Sequence, residues 1–423
     1  MALSAQGTDT FVYAHWEGLK SPELMGVLRA VSSRGNLIFS FQYDTAWLVK
    51  KEGFYLDPNL QLFSGPQYPS SGKPNFRVFL DSSPDRWGKL LMRRREAALA
   101  RQEGRKEKTL TELDYLLGVY DRPRIGAMRF RANEEGPFLN DNKEMASPPW
   151  TSLRALENAS IQLEREDAIN EPKYMTWLNT LIAPGSSLGG ARPKASVVDP
   201  NGSLWIAKFP SANDDRNIGA WEKVIHTLAG MARVQMAQGE AKRFNSRHHT
   251  FLNKRFDRTN TGERIHFASA MTLLSYSDGA DYKDGVSYLE LAEFISRYGA
   301  KATEDLHQLW RRIIFYICVS NTDDHLRNHG FLLTNKGWIL SPAYDVNPEP
   351  LNKGLTLNIS ENDNSLDLDL AKEVSTFFRL KEKHAEVIIN ETIHAVSQWR
   401  EIAISLEITR EEQELMASAF SRI

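Results

Sequence analysis

The reading turns on Asn321-Thr322-Asp323-Asp324-His325-Leu326-Arg327-Asn328, followed 22 residues after Asp323 by Asp345 in Ala343-Tyr344-Asp345-Val346. Upstream, Leu306, Leu309, Trp310, Ile313, Ile314 and Ile317 recur at i, i+3, i+4, i+7, i+8 and i+11. That is the apolar stripe of an amphipathic helix, and it ends just before Asn321. Downstream, Phe331-Leu332-Leu333 and Trp338-Ile339-Leu340 flank Asn335-Lys336-Gly337, which predicts a hairpin. A loop carboxylate such as Asp323 can take a proton from a hydroxyl. The Asn328 amide oxygen and the Asp345 carboxylate are hard oxygen ligands of the kind Mg²⁺ prefers. His325 and Arg327, between them, have the reach to meet phosphate oxygens.

Earlier features stand in a fixed order before this stretch. Ser186-Ser187-Leu188-Gly189-Gly190-Ala191-Arg192-Pro193-Lys194 carries two adjacent glycines, which let a backbone approach a phosphate without Cβ clashes. It leads into Ala195-Ser196-Val197-Val198 and Ser203-Leu204-Trp205-Ile206-Ala207-Lys208-Phe209 around Asp199-Pro200-Asn201-Gly202, a second predicted hairpin. Lys208 lies among apolar strand residues, and an inward-facing lysine there needs a partner or ligand. Glu222, 14 residues on in a predicted helix over 218–230, can supply one. A strand lysine paired with a helix glutamate is how protein kinases hold the α- and β-phosphates of ATP. Asp323 and Asn328 have the spacing of the Asp and Asn in a kinase catalytic loop, and Asp345 stands where a kinase places its metal-binding aspartate. Each feature alone has a plain alternative: a Gly-Gly turn, a lysine reaching solvent from an edge strand, an acidic turn or helix cap. Their order and spacing together point to phosphate transfer.

The rest of the chain bounds this reading. With 52 basic and 54 acidic residues in 423, the net charge is −2, so global charge does not draw the chain onto nucleic acid or anionic lipid. The single cysteine, Cys318, excludes an intrachain disulfide framework and a cysteine-based zinc site, and fits a reducing compartment. The opening MALSAQGTDTFVYAHWEG lacks the basic and apolar regions of a secretory signal. The longest strongly apolar run, near Ile313 to Val319, is far short of a membrane span. A soluble, cytoplasmic protein with no membrane partner is expected. No internal repeat is visible. Phe11 to Trp16 and Asn36 to Phe41 are strand-like, residues 64–75 read as a loop, and 131–150 as a linker, with a new domain starting near Trp150. Ser83-Pro84-Asp85 opens a helix whose continuation over 93–108 carries Arg93, Arg94, Arg95, Arg101, Arg105, Lys106 and Lys108 against three glutamates. That stretch is either a solvated helix face or a surface for phosphate or a partner. The last 50 residues read as helical.

These residues resemble the HipA family, the serine/threonine-protein kinase toxins of bacterial type II toxin–antitoxin systems. The resemblance runs through Asp81-Ser82-Ser83-Pro84-Asp85-Arg86-Trp87-Gly88, Ile125-Gly126-Ala127-Met128-Arg129-Phe130, the glycine loop, Trp205 to Pro210, Arg255-Phe256-Asp257-Arg258, Asn321 to Asn328 and Tyr344-Asp345. It implies an α+β fold: a protein-kinase-like bilobal core with an extra N-terminal β-rich subdomain and a mostly helical C-lobe, with ATP between the lobes. The spans expected are 1–145 for the N-terminal subdomain, 146–257 for the N-lobe and 258–423 for the C-lobe. Asp323 is then the catalytic residue. ATP is contacted by Gly189, Gly190, Ala191, Arg192, Pro193, Lys194, Lys208, Glu222, Lys254, Arg255, Phe256, Asp257, His325, Arg327, Asn328 and Tyr344. Asn328 and Asp345 hold Mg²⁺. Ser187, with Ser186 as second candidate, is autophosphorylated, which ejects the loop and shuts the kinase off. The implied protein substrate is an aminoacyl-tRNA synthetase, glutamyl-tRNA synthetase above all. The implied partner is a small helix-turn-helix antitoxin, through which operator DNA is met only indirectly.

Three other functions fit parts of this pattern. A kinase-fold corepressor, catalytically weak and working with a DNA-binding antitoxin, would bind ATP without transferring phosphate; the intact Lys208, Asp323, Asn328 and Asp345 argue against it. A small-molecule kinase would share the core but lack the N-terminal piece. A metallo-hydrolase using Asp323, Asp324 and His325 would need further His/Asp clusters, and His248-His249 is the only adjacent histidine pair.

Overall fold

The computed structural model describes residues 7–33, 35–50, 55–143, 146–182, 190, 192–351 and 353–422. They form two compact units, Met1–Ile206 with Asp257–Ala268, and Ala207–Phe256 with Ser269–Ile423. The junction between Ile206 and Ala207 falls inside a strand.

The first unit opens with β1 (Gly7–Ala14), β2 (Glu23–Ser33) and β3 (Asn36–Tyr43). Alternation along these strands makes one face apolar, because successive side chains point to opposite sides. The register sets Thr10 beside Leu28 and Leu28 beside Phe41, and all three are buried. Short helices α1 (Thr45–Val49) and α2 (Arg77–Asp81) follow; Phe79 of α2 packs 5.5 Å from the Phe41 ring. Helix α3 (Arg86–Glu103) starts where Ser83-Pro84-Asp85 predicts: the Asp85 carboxylate caps it by accepting from the Gly88 N–H at 2.8 Å. It stops at Gly104, whose φ of 63° is the left-handed conformation glycine adopts without a Cβ penalty. Then come α4 (Glu112–Gly118) and β4 (Met128–Arg131), which completes an antiparallel sheet in the order β3-β2-β1-β4. Helices α5 (Leu153–Leu163) and α6 (Tyr174–Ile182) lead to β5 (Lys194–Val198) and β6 (Leu204–Lys208). The Asp199 carboxylate closes the turn between β5 and β6 by accepting from the N–H groups of Asn201 and Ser203.

Much of the basic stretch after Arg93 is spent inside this unit. Arg94 donates to the Leu163 carbonyl and Arg95 to the Asn179 side chain. Arg105 pairs with Glu96 and Glu103, and Lys108 with Asp114. The stretch is therefore a packing and ion-pairing surface of α3 rather than a row of unengaged cations.

In the second unit, Ala207 and Lys208 end β6 and α7 (Ile218–Met231) follows. Strands β7 (Gly239–Arg243) and β8 (His249–Lys254) pair antiparallel. Strand β9 (Phe267–Ser269) crosses the junction and runs into α8 (Ala270–Leu273), α9 (Tyr288–Tyr298) and α10 (Ala302–Val319). The predicted hairpin is present as β10 (Gly330–Thr334) and β11 (Gly337–Leu340). The chain ends in α11 (Leu368–Glu373), α12 (Glu382–Val396), α13 (Trp399–Ser405) and α14 (Arg410–Met416). Helix α10 is the centre of this core. Every residue from Arg312 to Val319 is buried, so its C-terminal half is enclosed all round, beyond the stripe its periodicity predicts. Trp221 of α7 packs against Trp399 and Phe420, whose rings stack 4.5 Å apart. Among the described residues no helix is long and apolar enough to cross a membrane.

Candidate functional site

Lys208 is the last residue of β6, a strand buried along its whole length. Its ammonium hydrogen-bonds the Glu222 carboxylate and lies 2.7 Å from Asp345 Oδ1. Burial alone pushes a lysine toward neutrality; here the Asp345 and Glu222 carboxylates outweigh it and hold the ammonium charged, above its ordinary range. A charged ammonium is thus fixed between two carboxylates in a buried setting.

Glu222 is brought to Lys208 by the way α7 is seated. Asn217 caps the helix, its side-chain oxygen accepting from the Ala220 N–H, and its own N–H donates to Glu412 Oε1 at 2.7 Å. The Trp221 indole donates to the same oxygen at 2.7 Å. Gly219 lets the first turn press onto β8: a Cβ there would lie 2.1 Å from the His249 carbonyl oxygen. Only glycine permits that approach.

Helix α10 ends at Ser320, which adopts φ 50°. The Ser320 hydroxyl donates to the Ala419 carbonyl, and Asn321 Oδ1 accepts from the Asn347 N–H. In the loop that follows the adjacent aspartates part company. The Asp323 side chain is 78% exposed, with His325 Nε2 3.7 Å from its Oδ1. Asp324 is buried, accepting from the Tyr288 hydroxyl and from the Thr356 N–H at 2.6 Å. Burial pushes the Asp324 carboxyl up to about 6, against the pull of those donors. Asn328 donates from Nδ2 to the Asp323 carbonyl at 2.7 Å, which fixes the amide's orientation. Its Oδ1 is buried with no protein partner among the described residues.

Asp345 takes φ 56°, a left-handed conformation uncommon for a residue with a Cβ and held here by its surroundings. Ala343 exchanges backbone hydrogen bonds with Gln235 and Ala237 just before it. The Tyr344 hydroxyl donates to the Arg327 carbonyl at 2.7 Å, and its ring lies 5.4 Å from that of Phe256. Tyr344 therefore links the end of β8 to the Asp323 loop. Arg327 reaches Asp278 at 3.4 Å.

Lys208, Glu222, Lys254, Arg255, Phe256, Asp323, His325, Arg327, Asn328, Tyr344 and Asp345 all belong to the second unit. Asp257, Gly190, Arg192, Pro193 and Lys194 belong to the first. There the Asp257 carboxylate accepts from the Gly126 N–H and pairs with Arg258, both at 2.8 Å. The Lys194 ammonium pairs with the Asp85 carboxylate at 3.0 Å, and the Trp87 indole donates to the Lys194 carbonyl. The end of the glycine loop and the Asp85-Arg86-Trp87 motif thus meet within one unit, a contact that sequence reasoning missed because 107 to 109 residues separate the partners. Ser186, Ser187, Gly189 and Ala191 lie outside the described residues.

Asn328 Oδ1, a buried amide oxygen without a partner among the described residues, and the Asp345 carboxylate are hard oxygens of the kind a divalent cation takes, and the Lys208 ammonium beside Asp345 suits a phosphate. The metallo-hydrolase arrangement is not assembled, since Asp324 points away into the core; among the described residues no group of three or more His, Cys, Asp or Glu side chains could hold a metal ion.

The chain shares the fold of the HipA protein of Shewanella oneidensis MR-1, solved as a toxin–antitoxin system with HipB and operator DNA. The TM-score is 0.65 over 97% of this chain and 95% of that one, at 18% identity. The sequence family described as the HipA-like C-terminal domain matches residues 186–399, and the chain belongs to that family. The α+β, kinase-like reading of the fold stands. A Haemophilus influenzae relative described as "Putative kinase" is 31% identical over 115 residues, 25% of this chain. The match spans only 34% of that relative's length.

Proposed function

We propose that this chain is an ATP- and Mg²⁺-dependent serine/threonine protein kinase acting as the toxin of a toxin–antitoxin pair. The observation that carries the reading is the Lys208 ammonium held by Glu222 and Asp345 in the same unit as the exposed Asp323. In this reading Lys208 binds the α- and β-phosphates of ATP, and Lys254, Arg255, Phe256 and Tyr344 flank the adenine. Asp323 orients the substrate hydroxyl and accepts its proton as the oxygen bonds to the γ-phosphorus and the bond to ADP breaks. Asn328 Oδ1 and the Asp345 carboxylate would hold Mg²⁺, which when bound neutralises phosphate charge.

The substrate proposed is an aminoacyl-tRNA synthetase, glutamyl-tRNA synthetase first, whose phosphorylation stops translation in the cytoplasm. Self-inactivation is assigned to Ser187 or Ser186. A phosphoserine brings about −1.5 to −2 charges and would repel nucleotide phosphates. The partner proposed is a small helix-turn-helix antitoxin that meets operator DNA on the chain's behalf; the HipB and operator DNA solved with the Shewanella protein support it.

The test is incubation of purified protein with γ-labelled ATP and Mg²⁺, beside an Asp323→Ala control, followed by phosphosite mapping. Label at Ser186 or Ser187 that vanishes in the control is the expected result. Nucleotide binding without any label would sink the kinase reading and favour a corepressor.

A further inference from the structure

Asp324 has no part in the chemistry above, yet it is the most enclosed carboxylate of the loop. Its side chain is 1% exposed as a residue, its Oδ2 accepts from Tyr288 at the start of α9, and its Oδ1 accepts from the Thr356 N–H. Its carbonyl accepts from His329 Nε2 at 3.2 Å. Two residues earlier, the Thr322 carbonyl accepts from the Thr356 hydroxyl at 2.8 Å. Thr356 is itself held, its carbonyl accepting from the Tyr282 N–H at 2.8 Å. The Tyr288 ring is fully buried edge-on to His329, at 5.4 Å and 89°. Three separate segments therefore grip the chain on either side of Asp323.

We propose that Asp324 is a positioning residue for phosphate transfer. Gripped by Tyr288 and Thr356, it turns the Asp323 carboxylate outward and holds the peptide to which Asn328 is tied. Asp324 is drawn into the core while its neighbour Asp323 lies on the exposed side of the same loop. Because Asn328 Nδ2 bonds the Asp323 carbonyl, a shift of this peptide moves the carboxylate and the amide oxygen together. Neither Asp324 nor Tyr288 touches a reacting atom in this scheme. Their effect falls on the placement of groups that do. The proposal rests on the kinase reading for its catalytic consequence and on the hydrogen-bond geometry alone for its structural one.

The experiment uses the full chain with Tyr288→Phe, which removes one hydroxyl and keeps the buried ring, and Asp324→Asn beside it. Four quantities are read: kcat, KM for ATP, amide hydrogen exchange across residues 321–329, and thermal unfolding. Misplacement of reacting groups by about an ångström costs on the order of a hundredfold in rate, so kcat should fall by about ten- to a hundredfold. KM for ATP should rise by a smaller factor than kcat falls, because Lys208 is untouched and only the Asn328 contact shifts. Exchange should quicken in 321–329 and not across the rest of the unit. Unchanged kcat and unchanged loop exchange in folded Tyr288→Phe would overturn the proposal. So would faster exchange spread over the whole unit with kcat preserved, which is merely structural support. A wild-type protein that transfers no phosphate would overturn the kinase reading instead. The exchange data would then decide the positioning role alone: quickening confined to the loop upholds it, and no change removes it.

Discussion

The ammonium of Lys208 lies 2.7 Å from Oδ1 of Asp345, 137 residues further along the chain, and bonds Glu222 as well. One positive charge serves two carboxylates in a setting where Lys208 is only 7% exposed. Removing the cation strands two like charges together. Breaking a buried ion pair from one side costs about 3–5 kcal/mol. Lys208→Met is therefore expected to lower the unfolding free energy by about that much, at the low end because the Asp345 side chain is 20% exposed and partly screened. Adding Glu222→Gln to Lys208→Met should recover part of the loss. Urea unfolding of the single and double variants checks both, and an additive double variant would count against coupling.

Asp323→Ala should behave in the opposite way. The side chain is 78% exposed, so its loss should change stability by no more than about 0.5 kcal/mol. Phosphate transfer should be abolished all the same. Asp324→Ala should leave the buried Tyr288 hydroxyl and Thr356 N–H unsatisfied and cost about 1–3 kcal/mol. Thermal unfolding of the two neighbours, side by side, separates the exposed acid from the anchoring one.

That contrast marks where the sequence stops being legible. Helix α10, the loop after it and both hairpins follow from local signals, namely a 3.6-residue apolar period and turn residues between alternating runs. Lys208 and Glu222 could be paired in advance because a strand and the next helix lie close in sequence. The spacing to Asn328 singles out Asp323, but nothing local shows that Asp324 is buried, since that is decided by Tyr288 and Thr356, 36 and 32 residues away. The ion pair of Lys194 with Asp85 is likewise a through-space event. The roles of Arg94 and Arg95 stay open between a solvated face and a contact surface because their partners, the Leu163 carbonyl and Asn179, lie two and three helices on. The junction of the two units inside β6 left no composition signal, since Ile206 and Ala207 are both ordinary buried strand residues.

The pH dependence of stability should expose the loop's underside. Burial and the Arg312 charge lower the His329 pKa to about 3 from an ordinary 6.5, so the folded state keeps the ring neutral. The unfolded chain takes up the proton first, so this contribution is full above pH 6.5 and lost as pH falls toward 3. Asp324 works the other way. Burial raises its carboxyl to about 6 from 3.8, so the folded state holds a proton the unfolded chain has released, and stability rises as pH falls through that window. The two nearly cancel between about pH 6 and 4. His329→Gln should unmask the aspartate: its stability deficit against wild type should shrink by about 1.4 kcal/mol per pH unit on acidification. A deficit that stays constant over that range in urea titrations would rule the account out.

Gly219 offers the most local handle on Glu222. A Cβ at this position would sit 2.1 Å from the His249 carbonyl oxygen and 3.3 Å from the Phe251 nitrogen, both backbone atoms that cannot rotate aside. Gly219→Ala must therefore push α7 off β8. Ordinarily alanine stabilises a helix relative to glycine by about 1 kcal/mol, so propensity alone predicts a gain. Overpacking against fixed backbone costs about 1–3 kcal/mol and should win, giving a net loss of up to about 2 kcal/mol. Displacing α7 also carries Glu222 away from Lys208, so ATP affinity should fall although no residue of the ion pair has been changed. Gly230→Ala is the control, since no atom lies within 4 Å of a Cβ there. Stabilisation of Gly230→Ala together with destabilisation and weaker nucleotide binding in Gly219→Ala is the expected pair. Two stabilised proteins would show that the α7–β8 approach is looser than the close packing implies.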